Sequence, residues 1–223
     1  LFRSGQLNMY KNGTAHNSRG LVQLALFSAI IIAMAMVPFL GYIPLGFMRA
    51  TIIHIPVILG SVLLGPRKGA VLGGVFGLTS LMNNTVAPNV TSFVFTPFYS
   101  LGDVHGSWAS LVIVLAPRIL VGVLPYFVFK GLKRLLGSTP GKLTMSLGAA
   151  GFVGSMTNTL LVMNLIFVFF GESYGAAKGI AADAVYPFIL SVIGLQGVPE
   201  AIVATIIVAL VGRPLLRFAS SKT

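Results

Sequence analysis

The chain has 223 residues, of which 56% are hydrophobic and 9% are charged, and its mean hydropathy is +0.93. A soluble domain carries about 25% charged residues, so this composition excludes a water-soluble globular protein and indicates an integral membrane protein. The sequence contains no cysteine, which excludes disulfides, thiolate metal sites and thiol catalysis, and its net charge of +11 is concentrated in particular loops.

The first eight residues, 1–8, precede Met9, and we expect them to be a cleavage scar rather than part of the natural protein. Residues 9–223 are predicted to form a single membrane domain. A span needs about 20 apolar residues, or fewer where a helix is short or broken. Six segments qualify in chain order: Leu21–Pro38, Ala50–Leu64, Gly69–Met82, Ser107–Phe129, Leu143–Phe170 and Val198–Phe218.

The basic residues predict the orientation of these spans. Every Lys and Arg except Arg49, Arg118 and Lys178 falls in the N-terminal segment, in the loops after the second and fourth spans, or in the tail. The positive-inside rule places these regions in the cytoplasm. The prediction is therefore an all-α protein of the plasma membrane with six transmembrane helices and both termini cytoplasmic. A seventh span at 181–195 would break the charge rule, so we interpret that segment as interfacial or re-entrant.

Two long outer loops, 83–106 and 171–197, are expected to lie over a substrate pocket. Long loops in compact domains are often functional. These loops carry several aromatic residues, including Phe95 and Tyr186. The aromatic rings either close over a bound molecule or form an aromatic belt at the membrane interface, and both interpretations stay open.

Polar side chains within or beside the predicted spans fall mostly in the outer half of the bundle. They are Asn83, Asn84, Asn158, Asn164, Arg49 and His54. In a membrane such groups must be satisfied by each other, by backbone or by a ligand, so their convergence predicts a small-molecule pocket. Asparagines also link helices by hydrogen bonds, and Asn158 and Asn164 lie on different helix faces, so at least one is expected to do so. His54 is more often a packed histidine than a ligand-binding one.

Arg118 lies near the middle of the fourth span. A cation at that depth costs at least about 2.5–3.5 kcal/mol, so it must face a partner, a cavity or a ligand. Two interpretations carry equal weight. In the first, Arg118 stabilises the bundle by bonding to Glu200 or to a backbone carbonyl freed by Pro117. In the second, Arg118 binds an anionic ligand.

Enzyme motifs are missing from the sequence. It has no metalloprotease motif, no phosphate-binding loop and no pair of acids at metal-ligand spacing, so we predict no catalytic residue, no metal and no cofactor. No ATP site is recognisable, and active transport would need a separate source of energy.

Residues 50–78 resemble the second and third spans of the substrate-binding S components of energy-coupling factor (ECF) vitamin transporters. The shared pattern is an apolar entry with Pro56, a Gly-Pro-Arg-Lys-Gly turn at 65–69 and a glycine-rich third span. The resemblance implies a six-span subunit that captures a vitamin from outside. Its implied partners are a transmembrane scaffold subunit and two cytoplasmic ATPase subunits.

The first span carries a stripe of small residues, Ala25, Ala29 and Ala33, at a spacing of four. Such a stripe allows another helix to approach closely, and internal packing within the bundle is the alternative to a partner protein. In the family that this chain resembles, the corresponding stripe docks on the scaffold. The resemblance therefore implies that these alanines contact the scaffold subunit.

Three further stretches, 79–85, 92–98 and 117–122, resemble the subgroup of this family that is linked to pantothenate uptake in lactobacilli. Pantothenate is a monoanion with hydroxyl and amide groups, and a guanidinium can hold its carboxylate bidentately. Arg118 and Arg49 are the arginines available on the outer route. Hydroxymethylpyrimidine, pyridoxine or folate are the alternative vitamins. A structural membrane subunit and a membrane enzyme with an unrecognised motif are the alternative classes.

Overall fold

The protein is described by a computed structural model that covers residues 2–45 and 48–220, with side chains described for 18–37, 40–41 and 51–218. Most of this part is helical. Its helices are α1 (Phe2–Met36), α2 (Pro38–Gly41), α3 (His54–Leu64), α4 (Pro66–Val86), α5 (Trp108–Leu136), α6 (Pro140–Lys178), α7 (Val185–Val192) and α8 (Val198–Ser220).

Each predicted span corresponds to a helix of this set, namely α1, α3, α4, α5, α6 and α8. Four helical stretches are long and apolar enough to cross a membrane: Ser18–Met36, Trp108–Leu136, Pro140–Lys178 and Ala182–Phe218. Helix α3 is a shorter apolar helix, and α4 is long but less apolar. The helical membrane architecture is therefore confirmed, whereas the count of six spans and their orientation stay predictions.

Two short strand pairs, which were not predicted, accompany the helices. Strand β1 (Tyr42–Leu45) pairs with β2 (Met48–Thr51), and β3 (Ser100–Leu101) pairs with β4 (Val104–His105), both antiparallel. These pairs satisfy backbone groups in the segments between helices. The second predicted span consequently begins at His54 rather than at Ala50, which belongs to β2.

The predicted outer loop at 171–197 is mostly helical, so the prediction of a loop there was wrong. Helix α6 kinks at Phe170 (φ −137°, ψ 19°) and continues to Lys178. It ends at Gly179, whose φ of +67° is a left-handed conformation that glycine adopts without steric cost. Helix α7 runs through a π-helical segment, Ile193–Gly197, directly into α8. The interfacial placement of 181–195 stays a prediction.

Helices α4 and α5 pack with their backbones in direct contact. Gly69, Gly73 and Gly77 recur every four residues and so lie on one face of α4. A Cβ atom on Gly69 would collide with the carbonyl oxygen of Gly122, and one on Gly73 would collide with that of Arg118. Small residues permit such close approach between membrane helices. The contact fixes the position of Arg118 against α4.

Two hydrophobic clusters form the core. The larger one surrounds α3, which is buried from His54 to Val62, so α3 is the central helix of the bundle. The smaller cluster lies at the opposite end of α4 from Pro66, where Phe93 packs with residues of α5, α6 and α7. Along their helices, Arg118 of α5 and Asn158 of α6 each lie between residues of the two clusters.

Candidate functional site

The Arg118 side chain is buried, with 7% of its surface exposed, and is held on three sides. Its Nη1 donates a hydrogen bond of 2.8 Å to the carbonyl oxygen of Ile113. That carbonyl is four residues before Pro117, which has no N–H to donate to it. The bond to a carbonyl freed by proline, one of the alternatives considered for Arg118, is therefore present. The guanidinium carbon also lies 5.6 Å from the ring centre of Phe76 and 5.5 Å from that of Phe95.

These two rings belong to different parts of the chain. Phe76 is on α4, and Phe95 is in the segment 87–107 between α4 and α5, which we call the outer loop. Cation–π contacts of this kind contribute about 0.5–2 kcal/mol, more where water is excluded. Arg118 and Phe95, both predicted site residues, are thus brought together, and Arg118 links α5 to α4 and to the outer loop.

The outer loop is packed onto the helices rather than projecting from them. Phe93, Val94 and Thr96 are completely buried. The Ser110 hydroxyl of α5 donates to the Phe93 carbonyl oxygen at 2.7 Å, and the hydroxyls of Thr85 and Thr96 share a hydrogen bond of 2.7 Å. The loop therefore forms a fixed wall beside the guanidinium.

Three of the predicted asparagines have their amide nitrogens bonded to protein carbonyls. Asn83 Nδ2 donates to the Ala35 carbonyl of α1 at 2.8 Å, which is the helix-linking role considered from the sequence. Asn84 donates to the Ser80 carbonyl and its Oδ1 accepts from the Ser92 hydroxyl at 2.8 Å, so it anchors the outer loop. Asn164 donates to the Leu160 carbonyl of its own helix at 2.8 Å.

Other polar atoms are buried without a hydrogen-bond partner among residues 51–218. They include both ring nitrogens of His54, the Ser155 hydroxyl and the Asn158 Oδ1. His54 and Ser155 are each only 1% exposed. Leaving a buried polar group unsatisfied costs about 1–3 kcal/mol, so each such group needs an explanation, and a polar ligand is one.

These unsatisfied groups lie at a similar level on neighbouring helices. A Cβ on Gly154 of α6 would meet the Ile58 side chain of α3, so these two positions are opposite each other. Helices α3 and α6 run in opposite directions, and His54 and Asn158 each lie one turn from that crossing, towards the end where the outer loop lies. His54 and Asn158 therefore lie at about the same height along the bundle axis.

Arg118 lies close to the same level. A Cβ on Gly69 would meet Ser61 of α3 as well as Gly122, and one on Gly73 would meet Arg118. Since α3 and α4 are antiparallel, His54 and Arg118 differ in height by about one helical turn, or roughly 5 Å. The cation and the unsatisfied polar groups thus occupy one layer of the bundle.

Glu200, the acidic partner considered for Arg118, makes other contacts. Its carboxylate is buried, and Oε1 accepts hydrogen bonds from the Thr51 backbone N–H at 2.8 Å and from Gln196 Nε2 at 3.4 Å. Glu200 therefore connects α8 to the end of strand β2.

The remaining predicted site residues are less central. Tyr186 is 40% exposed and its ring lies 4.8 Å from that of Phe167, on the surface of α6 and α7. The side chain of Arg49 lies outside the described residues. Among the outer aromatics, Phe93 and Phe95 point into the bundle whereas Phe98 and Trp108 are exposed, so the rings divide between inner packing and the outer surface.

Sequence reasoning missed Phe76 and Ser155. Ser155 is three residues before Asn158 on α6, and that spacing places both on one helix face, a signal that was available. Phe76 is one of many apolar residues in α4, and no pattern in the sequence distinguishes it. Its relation to Arg118 follows only from the contact between α4 and α5.

The alanine stripe on α1 is open to the surroundings, since Ala25, Ala29 and Ala33 are all exposed. No other part of the described chain covers these alanines. Internal packing, the alternative interpretation of the stripe, therefore does not account for them. The stripe is therefore accessible to another protein.

Comparisons with known proteins show the family to which this chain belongs. The family model of the ECF transporter substrate-specific component matches residues 19–212. The pantothenic acid transporter PanT of Lactococcus lactis subsp. cremoris (strain MG1363) is 43% identical over 152 residues, which cover 65% of this chain and 73% of that protein. The pantothenate transporter PanT of Leuconostoc mesenteroides subsp. mesenteroides is 30% identical over 210 residues, covering 92% and 95%.

The family match extends over most of the chain, and its residues 19–212 include those that form the layer around Arg118. The family consists of transporter components rather than enzymes. Together with four helical stretches of membrane length, the matches identify a multi-pass protein of the plasma membrane. This chain belongs to the family of substrate-specific components, or S components, of ECF vitamin transporters.

Proposed function

We propose that this chain captures pantothenate at the outer face of the plasma membrane and delivers it to an ECF importer. The observation that carries the proposal is the buried guanidinium of Arg118 in one layer with unsatisfied polar groups of His54, Ser155 and Asn158. A site with one cation and several neutral polar groups suits a hydroxylated monoanion. The two relatives described above are both named as transporters of this vitamin.

Arg118 is the group proposed to hold the carboxylate. A guanidinium has five N–H donors, so it can bond to a backbone carbonyl and to a carboxylate at the same time. The rings of Phe76 and Phe95 and the Ile113 carbonyl restrict its orientation. An oriented donor pair loses less entropy when it binds a carboxylate bidentately, and the absence of bulk water strengthens the interaction.

The unsatisfied groups on α3 and α6 are proposed to bind the rest of the vitamin. The Ser155 hydroxyl can donate and accept, the Asn158 Oδ1 accepts, and the neutral imidazole of His54 has one donor and one acceptor. Pantothenate offers two hydroxyls and an amide to these groups. The outer loop, with Phe95 against Arg118, covers the site on the side away from Pro66.

Delivery is proposed to depend on partner subunits. The chain would span the membrane six times with both termini in the cytoplasm, and the exposed alanine stripe would dock on the scaffold subunit. Two ATPase subunits would supply the energy, so this chain needs no catalytic residue. Pantothenate can shift the conformational equilibrium only by its difference in affinity for the two states.

The direct test of the proposal is calorimetric titration of the purified chain with pantothenate, pyridoxine and hydroxymethylpyrimidine. We expect saturable heat with pantothenate alone. No heat with pantothenate and clear saturation by another vitamin would overturn the vitamin assignment. Absence of binding by any of the three vitamins would favour a purely structural subunit.

Exchange of Asn158 for alanine is expected to weaken pantothenate binding by about three- to tenfold, which corresponds to one hydrogen bond of about 1 kcal/mol. Asn164→Ala is the matched control, because its amide bonds within its own helix. We expect unchanged affinity for this control in the same calorimetric titration. Equal losses in the two variants would argue against a contact between Asn158 and the vitamin.

A tryptophan at Ala25, Ala29 or Ala33 is expected to leave pantothenate affinity unchanged and to stop uptake into vesicles that contain the complete transporter. The bulky ring would prevent close helix approach at the stripe. Val168→Trp is the control, since Val168 is an exposed residue of α6 far from the stripe, with 70% of its surface accessible. Loss of vitamin binding in the alanine variants would instead place the stripe within the substrate-binding bundle.

A further inference from the structure

A concave surface lies on the outside of the bundle and does not include Arg118. It is a groove of about 1140 Å³ between α1, α3 and α8. Buried Ile55 and Leu59 of α3 form its floor, and Leu26 and Ile30 of α1 form one wall. The wall residues are substantially exposed, at 59% and 39%, so the groove presents apolar surface to the membrane.

The groove is basic at one end only. Arg19 of α1 and Lys68 of α4 line this end, together with Ser18 and Gln23, whereas the rest of the lining is almost entirely apolar. The basic end also coincides with the turn at 65–69 that the charge pattern places in the cytoplasm. A groove with an apolar length and a cationic inner end matches a molecule with a hydrocarbon chain and an anionic head.

Gly20 brings the lysine against α1. A Cβ atom at position 20 would collide with Nζ of Lys68, so the glycine leaves the space that the ammonium occupies against α1. Arg19 and Lys68 therefore both line the same end of the groove. Lys68 is half-buried in this position, whereas the cations of the α5–α6 turn are exposed.

The dimensions also fit a lipid. From Arg19 to Met34 the groove follows α1 for 15 residue steps, or roughly 22 Å at about 1.5 Å per residue. One leaflet of the hydrocarbon core is about 15 Å thick, half of the core. An acyl chain that enters from the cytoplasmic headgroup level therefore lies within the length of the groove.

We propose that this groove binds an anionic phospholipid of the cytoplasmic leaflet, with the phosphate at Arg19 and Lys68 and an acyl chain along α1 and α3. Basic pockets between membrane helices on the cytoplasmic side bind anionic headgroups in this manner. The groove does not include the alanine stripe. Leu26 and Ile30 each follow an alanine by one residue, so the two faces of α1 are turned from each other by about 100°. Lipid and scaffold therefore have adjacent sites.

The test uses the full chain, which contains no cysteine and so accepts a single engineered one. A fluorophore is attached at Leu26→Cys in the groove, and at Phe127→Cys as a control. Phe127 is similarly exposed, at 55%, lies near Lys130 on α5, and does not line this groove. Each labelled protein is reconstituted in phosphatidylcholine vesicles with increasing fractions of brominated phosphatidylglycerol or brominated phosphatidylcholine, which quench fluorescence on contact.

We expect brominated phosphatidylglycerol to quench the label at position 26 at a mole fraction at least about fivefold lower than brominated phosphatidylcholine, the factor that one cation contributes near an anionic headgroup. The preference should be smaller at position 127. Gly20→Ala and Lys68→Gln should each reduce the preference at position 26, and Arg67→Gln, which changes a neighbouring cation outside the groove, should not.

Equal quenching by the two lipids at position 26 would overturn the proposal. A preference that survives both Gly20→Ala and Lys68→Gln would overturn the assignment of the headgroup to Lys68. If the label shows no lipid preference but is shielded when the scaffold subunit is added, the groove is part of the protein interface and the lipid proposal fails. None of these measurements involves the vitamin, so they are independent of the proposed function.

Discussion

Replacing Arg118 with alanine is expected to abolish pantothenate binding at concentrations that saturate the unmodified protein. Removing one member of a buried, hydrogen-bonded charge pair costs about 2–5 kcal/mol of binding, which is a loss of at least about 30-fold in affinity. The variant should also lose about 1–3 kcal/mol of stability, because the Ile113 carbonyl loses the donor that replaced the missing N–H of Pro117. Calorimetry and thermal unfolding in detergent measure the two effects.

The alcohol analogue of pantothenate, with a hydroxymethyl group in place of the carboxylate, separates a direct role from a structural one. The unmodified protein should strongly prefer the acid, and Arg118→Ala should bind the two ligands alike. Arg118→Lys keeps the charge and a donor for Ile113 but lacks the bidentate fork, so we expect a stable protein with at least about tenfold weaker binding. If the alanine variant unfolds while the lysine variant binds normally, Arg118 serves only to stabilise the bundle.

The substitution Gly73→Ala is expected to destabilise the protein and to weaken vitamin binding together. Its methyl group would collide with the Arg118 carbonyl, a backbone atom that cannot move away as a flexible side chain can. Forcing an extra carbon into a packed interface costs about 1–3 kcal/mol, and here the displaced backbone is that of the proposed carboxylate-binding residue.

Gly74→Ala is the matched control for that experiment. A Cβ at Gly74 meets no atom within 4 Å, although the residue is the immediate neighbour of Gly73 on the same helix. We expect its melting temperature and pantothenate affinity to equal those of the unmodified chain. Comparable behaviour of the two alanine variants would show that the backbone contact between α4 and α5 has no part in placing Arg118.

The sequence was most informative about two features: the membrane architecture, through its composition, and the surroundings of the one arginine within an apolar span. Hydropathy predicted the helical membrane architecture, and each predicted span corresponds to a helix. The position of Arg118 one residue after Pro117 indicated a bond to a freed carbonyl as one alternative, and that bond is present and local along the helix. Local geometry of this kind can be read from neighbouring residues without knowledge of the tertiary fold.

Features that depend on tertiary packing were not predictable in this way. Glu200 was considered as a partner of Arg118 from the sequence. In the structure the Glu200 carboxylate instead accepts a hydrogen bond from the backbone N–H of Thr51, which is 149 positions away along the chain. The segment 171–197 was expected to be a loop from its glycines, but its apolar residues pack as helix against α6 and the outer loop. Asn83 and Asn158 are alike in sequence, and only their surroundings show that the amide of Asn83 bonds to α1.

The backbone contact of α4 with α5 has a consequence for the motion of the protein. Helices that slide past one another in shear movements do so through a layer of side chains that can change rotamer. No such layer separates Gly69 from Gly122, or Gly73 from Arg118, so these two helices should move as one rigid body. The wall that carries Arg118 would then keep its shape throughout the transport cycle, and release of the vitamin would require the whole subunit to reorient or the elements around this pair to separate from it.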